Sequence, residues 1–214
     1  MRTDPFSDSL QFLIGQQPDQ LVLGLFGWLF LALFWALLIG SIAIAVRNWQ
    51  ADPAQRTAAH LWTWIARTMM GAMWFQGALW KLPFPQSPGF AHWTGQIAEH
   101  AAFGWHRVLA AEVMLPLLPL FQAVAFFGEM GFAISLMLGF AVRLSSLLAM
   151  GFVVQLWLGL YRVDIEWPWL FWFMIFTLGW FIVHRAGRSL GLDALLLREN
   201  RLAPQAARWH ALAS

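Results

Sequence analysis

The stretch LVLGLFGWLFLALFWALLIGSIAIAV, residues Leu21 to Val46, decides how the rest of the chain is read. Its 26 residues carry no charge, and at about 1.5 Å per residue a helix of that length crosses ~30 Å of hydrocarbon with some tilt. A secretory signal needs a basic leader and a shorter apolar core, whereas the leader here sets Asp4, Asp8 and Asp19 against Arg2. The run is therefore expected to persist in the mature protein as a membrane span.

Composition points the same way. Of 214 residues, 60% are hydrophobic and 11% charged, with mean hydropathy +0.60, so the chain holds roughly half the charge of a soluble domain. Nineteen Phe and 15 Trp are more than one small core can hide, which excludes a water-soluble globule. With no Cys there is no disulfide, thiolate metal site or protein-bound persulfide. The formal charge is +2, yet the basic residues form no stripe interleaved with stacking aromatics, so no nucleic-acid partner is expected.

Four further apolar runs follow. Ala58 to Leu82 is interrupted by Arg67 and stopped by Pro83, Pro85 and Pro88. The mixed stretch beyond it holds Glu99, Arg107 and Glu112 with His92, His100 and His106, and suits short surface helices. Leu115 to Phe140 is apolar with Glu129 near its middle; Leu144 to Tyr161 and Trp167 to Val183 follow across the polar hinge Arg162, Asp164, Glu166. The expected fold is all-α and integral to the membrane, with five transmembrane helices. Residues 1–56 form a leader, the first span and a loop; residues 57–197 form a four-helix domain with outer loop 83–114; residues 198–214 form a basic tail.

Alternate loops set the orientation. One side collects Arg47, Arg56, Arg143, Arg185, Arg188, Arg198, Arg201 and Arg208; the other has Arg2, Lys81, Arg107 and Arg162. The positive-inside rule then puts the N-terminus outside and the C-terminus in the cytoplasm. Trp62, Trp64, Trp80, Trp93, Trp105, Trp167 and Trp169 read as interfacial anchors, since indole pairs an apolar face with a donor.

An ionisable group at mid-membrane costs ~2.5–3.5 kcal/mol on insertion scales, so each needs a partner or a purpose. Arg67 and Glu129 are the two candidates, and their depths along their helices, ~13 and ~18 Å, predict that they pair or share a network. Such a pair is either a helix clamp or part of a functional pocket in which Glu129 handles protons. Gln76, Gln122 and Gln155 form one layer toward the outer side. Gln122 and Glu129, seven residues apart, share a face and suggest a polar route to the carboxylate, whereas Gln76 lies on the face opposite Arg67. Gly71, Gly77, Gly128, Gly131 and Gly139 read as close-packing positions. The outer His and Glu residues match no compact ligand spacing, and there is no metal, heme or flavin motif, nucleophile elbow or phosphate loop.

Several of these residues fall into one pattern. Arg67, Gly71, Gly77 and Lys81 follow R-x3-G-x5-G-x3-K; Gly128-Glu129 is followed by Gly139 and Arg143; Trp105 to Pro116 reads WHRVLAAEVMLP. The ending Ala186-Gly187-Arg188-Ser189-Leu190-Gly191-Leu192-Asp193 is similar to a closing AGRxxGLD. Together they resemble the DoxX/DoxD family of prokaryotic membrane proteins over about residues 60–197, with the first span outside the four-helix family core. The resemblance implies a prokaryotic plasma-membrane subunit of quinone-linked redox chemistry, as in thiosulfate:quinone oxidoreductase, where a DoxD chain works with a DoxA chain.

On that reading Glu129 and Arg67 are the catalytic pair, and Gln122, Gln155 and Lys81 bind quinone or attract an anionic substrate. Taken by itself, Lys81 reads first as a snorkelling helix-end lysine. The chain supplies no electron carrier, so turnover needs bound quinone and a second protein subunit in the bilayer. The rival expectation is a structural or assembly subunit of a larger respiratory or photosynthetic complex, in which Arg67 and Glu129 only lock helices and the glutamines are interhelical glue.

Overall fold

The computed structural model describes residues 4–83, 87–164, 168–199 and 204–214. Arg2, Pro85, Glu166, Trp167 and Arg201 fall outside the described residues, as does the side chain of Arg208. All regular structure among the described residues is helical.

The chain opens with two short helices, α1 (Pro5–Leu13) and α2 (Pro18–Val22), before α3 (Leu25–Ala51). Asp4 starts α1 by accepting from the backbone N–H of Phe6 and Ser7 at 2.9 and 2.8 Å. A 3₁₀ turn, Pro53–Gln55, leads to α4 (Ala58–Leu79), whose first turn is capped by Thr57. Helices α5 (Pro88–His100) and α6 (Gly104–Leu109) follow, and a π-helical turn, Ala110–Met114, extends α6. Three apolar helices come next: α7 (Leu118–Leu138), α8 (Val142–Leu160) and α9 (Pro168–Val183). The chain closes with a 3₁₀ turn at Ala186–Arg188, then α10 (Leu192–Glu199) and α11 (Pro204–Ala213).

Among the described residues three helices, α3, α7 and α8, are long and apolar enough to cross a membrane; α9 is apolar but only 16 residues long. Helix α4 has the length, 22 residues, but dilutes its apolar character with His60, Arg67, Thr63, Thr68 and Gln76. On α3 the buried side chains form a narrow stripe, Phe34, Leu37, Ser41, Ala45 and Asn48, while Trp28, Leu29, Ile39 and Val46 face outward. Phe127, Leu148, Phe173 and Phe176 likewise face outward from α7, α8 and α9. A helix that is apolar all round yet buried on one stripe has hydrocarbon as its natural surroundings.

The long helices run antiparallel in sequence order. Ser41 meets Thr68 at 3.4 Å and Phe34 packs edge-on against Phe75, which fixes α3 against α4. Helices α4 and α7 make the closest seam, because Gly71 lies where a Cβ would stand 2.7 Å from Met137 Cγ and 2.9 Å from Met137 N. Trp157 and Trp172, 4.9 Å between ring centroids, join α8 to α9. One end of the bundle therefore carries α5, α6 and the 80–83 turn, and the other carries the arginine-rich loops with α10 and α11.

Candidate functional site

The α4–α7 register decides which cation meets Glu129. Lys81, just past the end of α4, donates to Glu129 Oε1 and Oε2 at 2.8 and 2.6 Å and to Gly77 O at 2.9 Å. Both side chains are secluded, with 13% of Lys81 and 2% of Glu129 accessible. Gly77 lies beside the pair, where an added Cβ would make ordinary contact at 3.9 Å from Glu129 Oε2. The Lys81 ammonium also lies 4.4 Å from the centroid of the Trp80 ring, a cation–π contact.

Arg67 is not the partner of Glu129, which corrects the pairing expected from depth. It is fully buried, but its guanidinium donates to Leu136 O and, at 3.2 Å, to Met137 O, in the last turn of α7. Those carbonyls have no acceptor role left inside the helix, and a cation there also satisfies the negative end of the helix dipole. Glu129 lies seven residues back along α7, roughly 10 Å away at helical rise. Lys81 is 14 residues from Arg67, close to four full turns, so both cations occupy one face of the α4 line and the nearer one takes the carboxylate.

Above the ion pair the α5–α6 segment roofs a cavity of about 560 Å³, within the range of pockets that hold drug-sized ligands. Its wall is chiefly aromatic and aliphatic: Trp80, Phe90, Trp93, Trp105, Phe121 and Phe152 contribute rings. Trp80, Trp93 and Trp105, expected as membrane anchors, also line this cavity, Trp105 with most of its surface exposed. The polar groups in this wall are Lys81, Glu129, Thr94, His106 and Gln155. Leu109 and Met114 bring the π-helical turn to the same wall; such turns recur at functional sites because they re-aim side chains without ending the helix.

His106 and Gln155 form the second polar pair, with Nε2 of each 3.2 Å apart. His106 is buried, stacked on Trp105 at 5.2 Å and pressed against Gly159, whose Cβ would stand 3.1 Å from His106 Cε1. Burial pushes the imidazole below its ordinary value of 6.5, so it is neutral at physiological pH. The sequence alone puts His106 on a short surface helix of the mixed outer stretch. Nothing there separates it from His92 and His100, since Arg107 follows it directly and Glu112 lies in the next turns.

The remaining expected residues divide. Gln155 lines the cavity, as do Glu129 and Lys81. Gln122 does not: it is buried and ties down the chain before α5, accepting from Ser87 N at 3.1 Å and donating to Leu82 O at 2.7 Å. Its helix face suggests a polar route to Glu129, but its amide is taken up by Ser87 and Leu82 instead. Gln76 points the other way and donates to Gln17 Oε1 at 2.7 Å, fixing the N-terminal helices to α4.

At the opposite end of the bundle the AGRSLGLD segment is a structural knot. Asp193 is fully buried and accepts from Ala141 N on Oδ1 and from Val142 N on Oδ2, at 2.8 and 3.2 Å, capping α8, while His210 Nε2 of α11 lies 2.8 Å from the same Oδ1. Burial raises this carboxyl above its ordinary value, and the two N–H donors and His210 oppose that rise. Gly139, at φ +73°, passes so close to Gly191 that an added Cβ would stand 2.7 Å from Gly191 Cα. Asn48 on α3 donates to Gly191 O at 2.9 Å, and Gln55 brackets the segment through Arg188 O and Leu190 N at 2.9 and 2.8 Å. No protein-family profile matches the chain, nor does any curated protein or solved structure.

Proposed function

We propose that this protein is a prokaryotic plasma-membrane subunit of a quinone-linked redox system, with the quinone ring held in the cavity above the Lys81–Glu129 pair. The observation that carries this reading is a buried ion pair set into an aromatic, otherwise apolar chamber of about 560 Å³. Apolar walls suit an isoprenoid quinone, and aromatic rings suit its flat head. A bound quinone supplies two-electron, two-proton carrier chemistry. Lys81, whose three N–H groups serve Gly77 O and the two oxygens of Glu129, places a positive charge beside a carbonyl oxygen, Glu129 accepts or returns a proton, and the Trp and Phe wall excludes water. Electrons come from a partner subunit that oxidises a reduced sulfur anion such as thiosulfate. In the bilayer α3, α4, α7, α8 and α9 all cross, the arginine-rich end faces the cytoplasm and the cavity opens on the outer side.

The test is direct: purify the protein in mild detergent, extract and identify co-purified quinone, and compare wild type with Glu129→Gln for quinone binding and reduction with the partner present. Quinone in the wild type and a loss of at least tenfold in reduction for Glu129→Gln are expected. No ligand and no binding in the wild type would refute the reading.

A second reading, a non-catalytic assembly subunit of a larger respiratory or photosynthetic complex, is favoured by one observation. Arg67, Gly71, Gly139 and Asp193, which carry much of the family resemblance, all serve packing and helix capping. Under it, deleting residues 1–50 abolishes complex assembly, while Glu129→Gln leaves redox turnover unchanged.

A further inference from the structure

The arginines at the end of the bundle that carries α10 and α11 fall into two groups. Arg47 donates to Glu199 Oε1 at 2.6 Å, Arg198 to Asn48 Oδ1 at 3.1 Å, and Arg56 to Trp49 O and Gln50 O at 2.7 and 2.9 Å. Arg143 and Arg185 are half-buried, yet neither makes a hydrogen bond or an ion pair among the described residues. We infer that these two guanidiniums, with Arg188 beside them, hold the phosphate of an anionic glycerophospholipid against the start of α8 and the end of α9. Such a site does not depend on the quinone reading and requires only that the apolar helices lie in a bilayer.

The fold brings the three arginines to one place. Arg143 is the second residue of α8, and Arg185 precedes the 3₁₀ turn after α9 that Arg188 closes. That turn is pressed onto the start of α8, since a Cβ on Gly187 would stand 2.9 Å from Val142 Cγ2. Burial pushes the Arg188 guanidinium below its ordinary value, and the charges of Arg185 and Arg143 push it the same way. Asp193 opposes them, but it is fully buried and already taken up by Ala141 N, Val142 N and His210. Arg188 is itself tied to Ala211 O and Ser214 Oγ, both at 3.0 Å, which leaves the donors of Arg143 and Arg185 for an anion set among the three. Like charges held together repel, and a shared anion turns that repulsion into attraction.

The backbone adds a second observation. Arg185 stands at φ +49°, in the left-handed conformation that glycine usually supplies just past a helix end. An arginine kept there at conformational cost points to a use for its side chain.

The surrounding surface says which anion. Leu144, Leu147 and Leu148 on the first turns of α8 and Trp180 and Val183 on the last turn of α9 are exposed. The arginines thus stand where two lipid-facing surfaces end, at headgroup level, with room for acyl chains along those side chains. A guanidinium binds two phosphate oxygens in parallel, and basic clusters at helix ends recruit anionic headgroups. A soluble phosphate ester gains nothing from the apolar half of such a site.

The experiment uses the full chain, delipidated in mild detergent, with bound molecules counted by native mass spectrometry. The probes are dioleoyl phosphatidylglycerol, dioleoyl phosphatidylcholine and glycerophosphoglycerol, the first headgroup without its chains. Wild type is expected to bind one phosphatidylglycerol about 25-fold tighter than phosphatidylcholine, and Arg143→Gln or Arg185→Gln to lower that preference about fivefold each, the worth of one arginine at an anionic membrane surface. The double variant should abolish the preference, while Arg47→Gln, at the same end but engaged by Glu199, should leave it unchanged. Arg185→Gly suits the left-handed backbone, so it should lose as much preference as Arg185→Gln without lowering the thermal midpoint, which separates lost binding from lost folding. Equal wild-type affinity for the two lipids, a double variant with the wild-type preference, or an Arg47→Gln loss as large as that of Arg143→Gln overturns the inference. Glycerophosphoglycerol bound as tightly as the lipid overturns the lipid assignment.

Discussion

Lys81 Nζ lies 2.6 Å from one carboxylate oxygen of Glu129 and 2.8 Å from the other, an ion pair secluded between α4 and α7 at the floor of the cavity. A pair of this kind gains little over apolar side chains of the same size, but removing one partner strands the other charge. Lys81→Met or Glu129→Leu alone should destabilise the detergent-solubilised protein by about 3–5 kcal/mol, and the double variant should recover most of that loss. Thermal unfolding of the two singles and the double checks it. Independent, additive losses would mean the two groups are not coupled.

Arg67 is a helix-terminal clamp and lies outside the cavity wall. Arg67→Met should lower thermal stability, because the last carbonyls of α7 lose a charge-assisted donor, while the quinone binding of the proposed function changes less than twofold. Arg67→Lys should restore part of that stability, since Nη1 alone donates to both carbonyls and an ammonium can supply those two bonds. A quinone affinity that fell with Arg67→Met would place the arginine at the ligand after all.

The α4–α7 seam has no room for a side chain at Gly71. With Met137 Cγ at 2.7 Å and Ala133 O at 3.0 Å from a built Cβ, Gly71→Val forces the helices apart and should destabilise by about 1–3 kcal/mol, as overpacked cores do. The same substitution at Gly128, where an added Cβ meets nothing within 4 Å, should be far better tolerated. Melting curves of the two variants compare them directly.

Asp193 holds α8, α10 and α11 together. Asp193→Ala leaves the N–H groups of Ala141 and Val142 without their acceptor and frees His210, at about 1–3 kcal/mol for the orphaned donors. Limited proteolysis should then cut near residues 204–214 sooner than in wild type. Unchanged cleavage would show that α11 is held by other contacts, such as Arg188 to Ala211 O at 3.0 Å.

His106 gives a pH dependence of defined sign. Its folded-state pKa lies below the ordinary 6.5 because burial penalises the imidazolium, so the unfolded chain binds a proton that the folded protein does not. Stability from this group is fully present above about pH 6.5 and falls as the pH drops below it, at most about 1.4 kcal/mol per pH unit, until the folded-state pKa is reached. Unfolding midpoints between pH 8 and pH 5 should show this slope, and His106→Asn should flatten it.

What the residues determined alone was what depends on their type and spacing. The existence of a long apolar helix within the chargeless run and the opposite faces of Gln76 and Arg67 follow from hydropathy and 3.6-residue periodicity, whereas its bounds do not: Gly24 at φ +55° separates Leu21 and Val22 into α2, and α3 runs from Leu25 to Ala51. The tertiary structure decided the partnerships. Depth along a helix gives the level of a group but not the register of its neighbour, and that register set Arg67 against the carbonyls of Leu136 and Met137 and left Glu129 to Lys81. The cavity was equally hidden, because Trp80, Trp93 and Trp105 suit lipid headgroups and an aromatic chamber alike, and only the folding of α5 and α6 over the bundle separates the two. His106 needed Gly159 and Gln155, 53 and 49 residues further along, to become a buried neutral imidazole at a pocket wall. Burial, and with it charge state, is a property of what the rest of the chain packs around a residue.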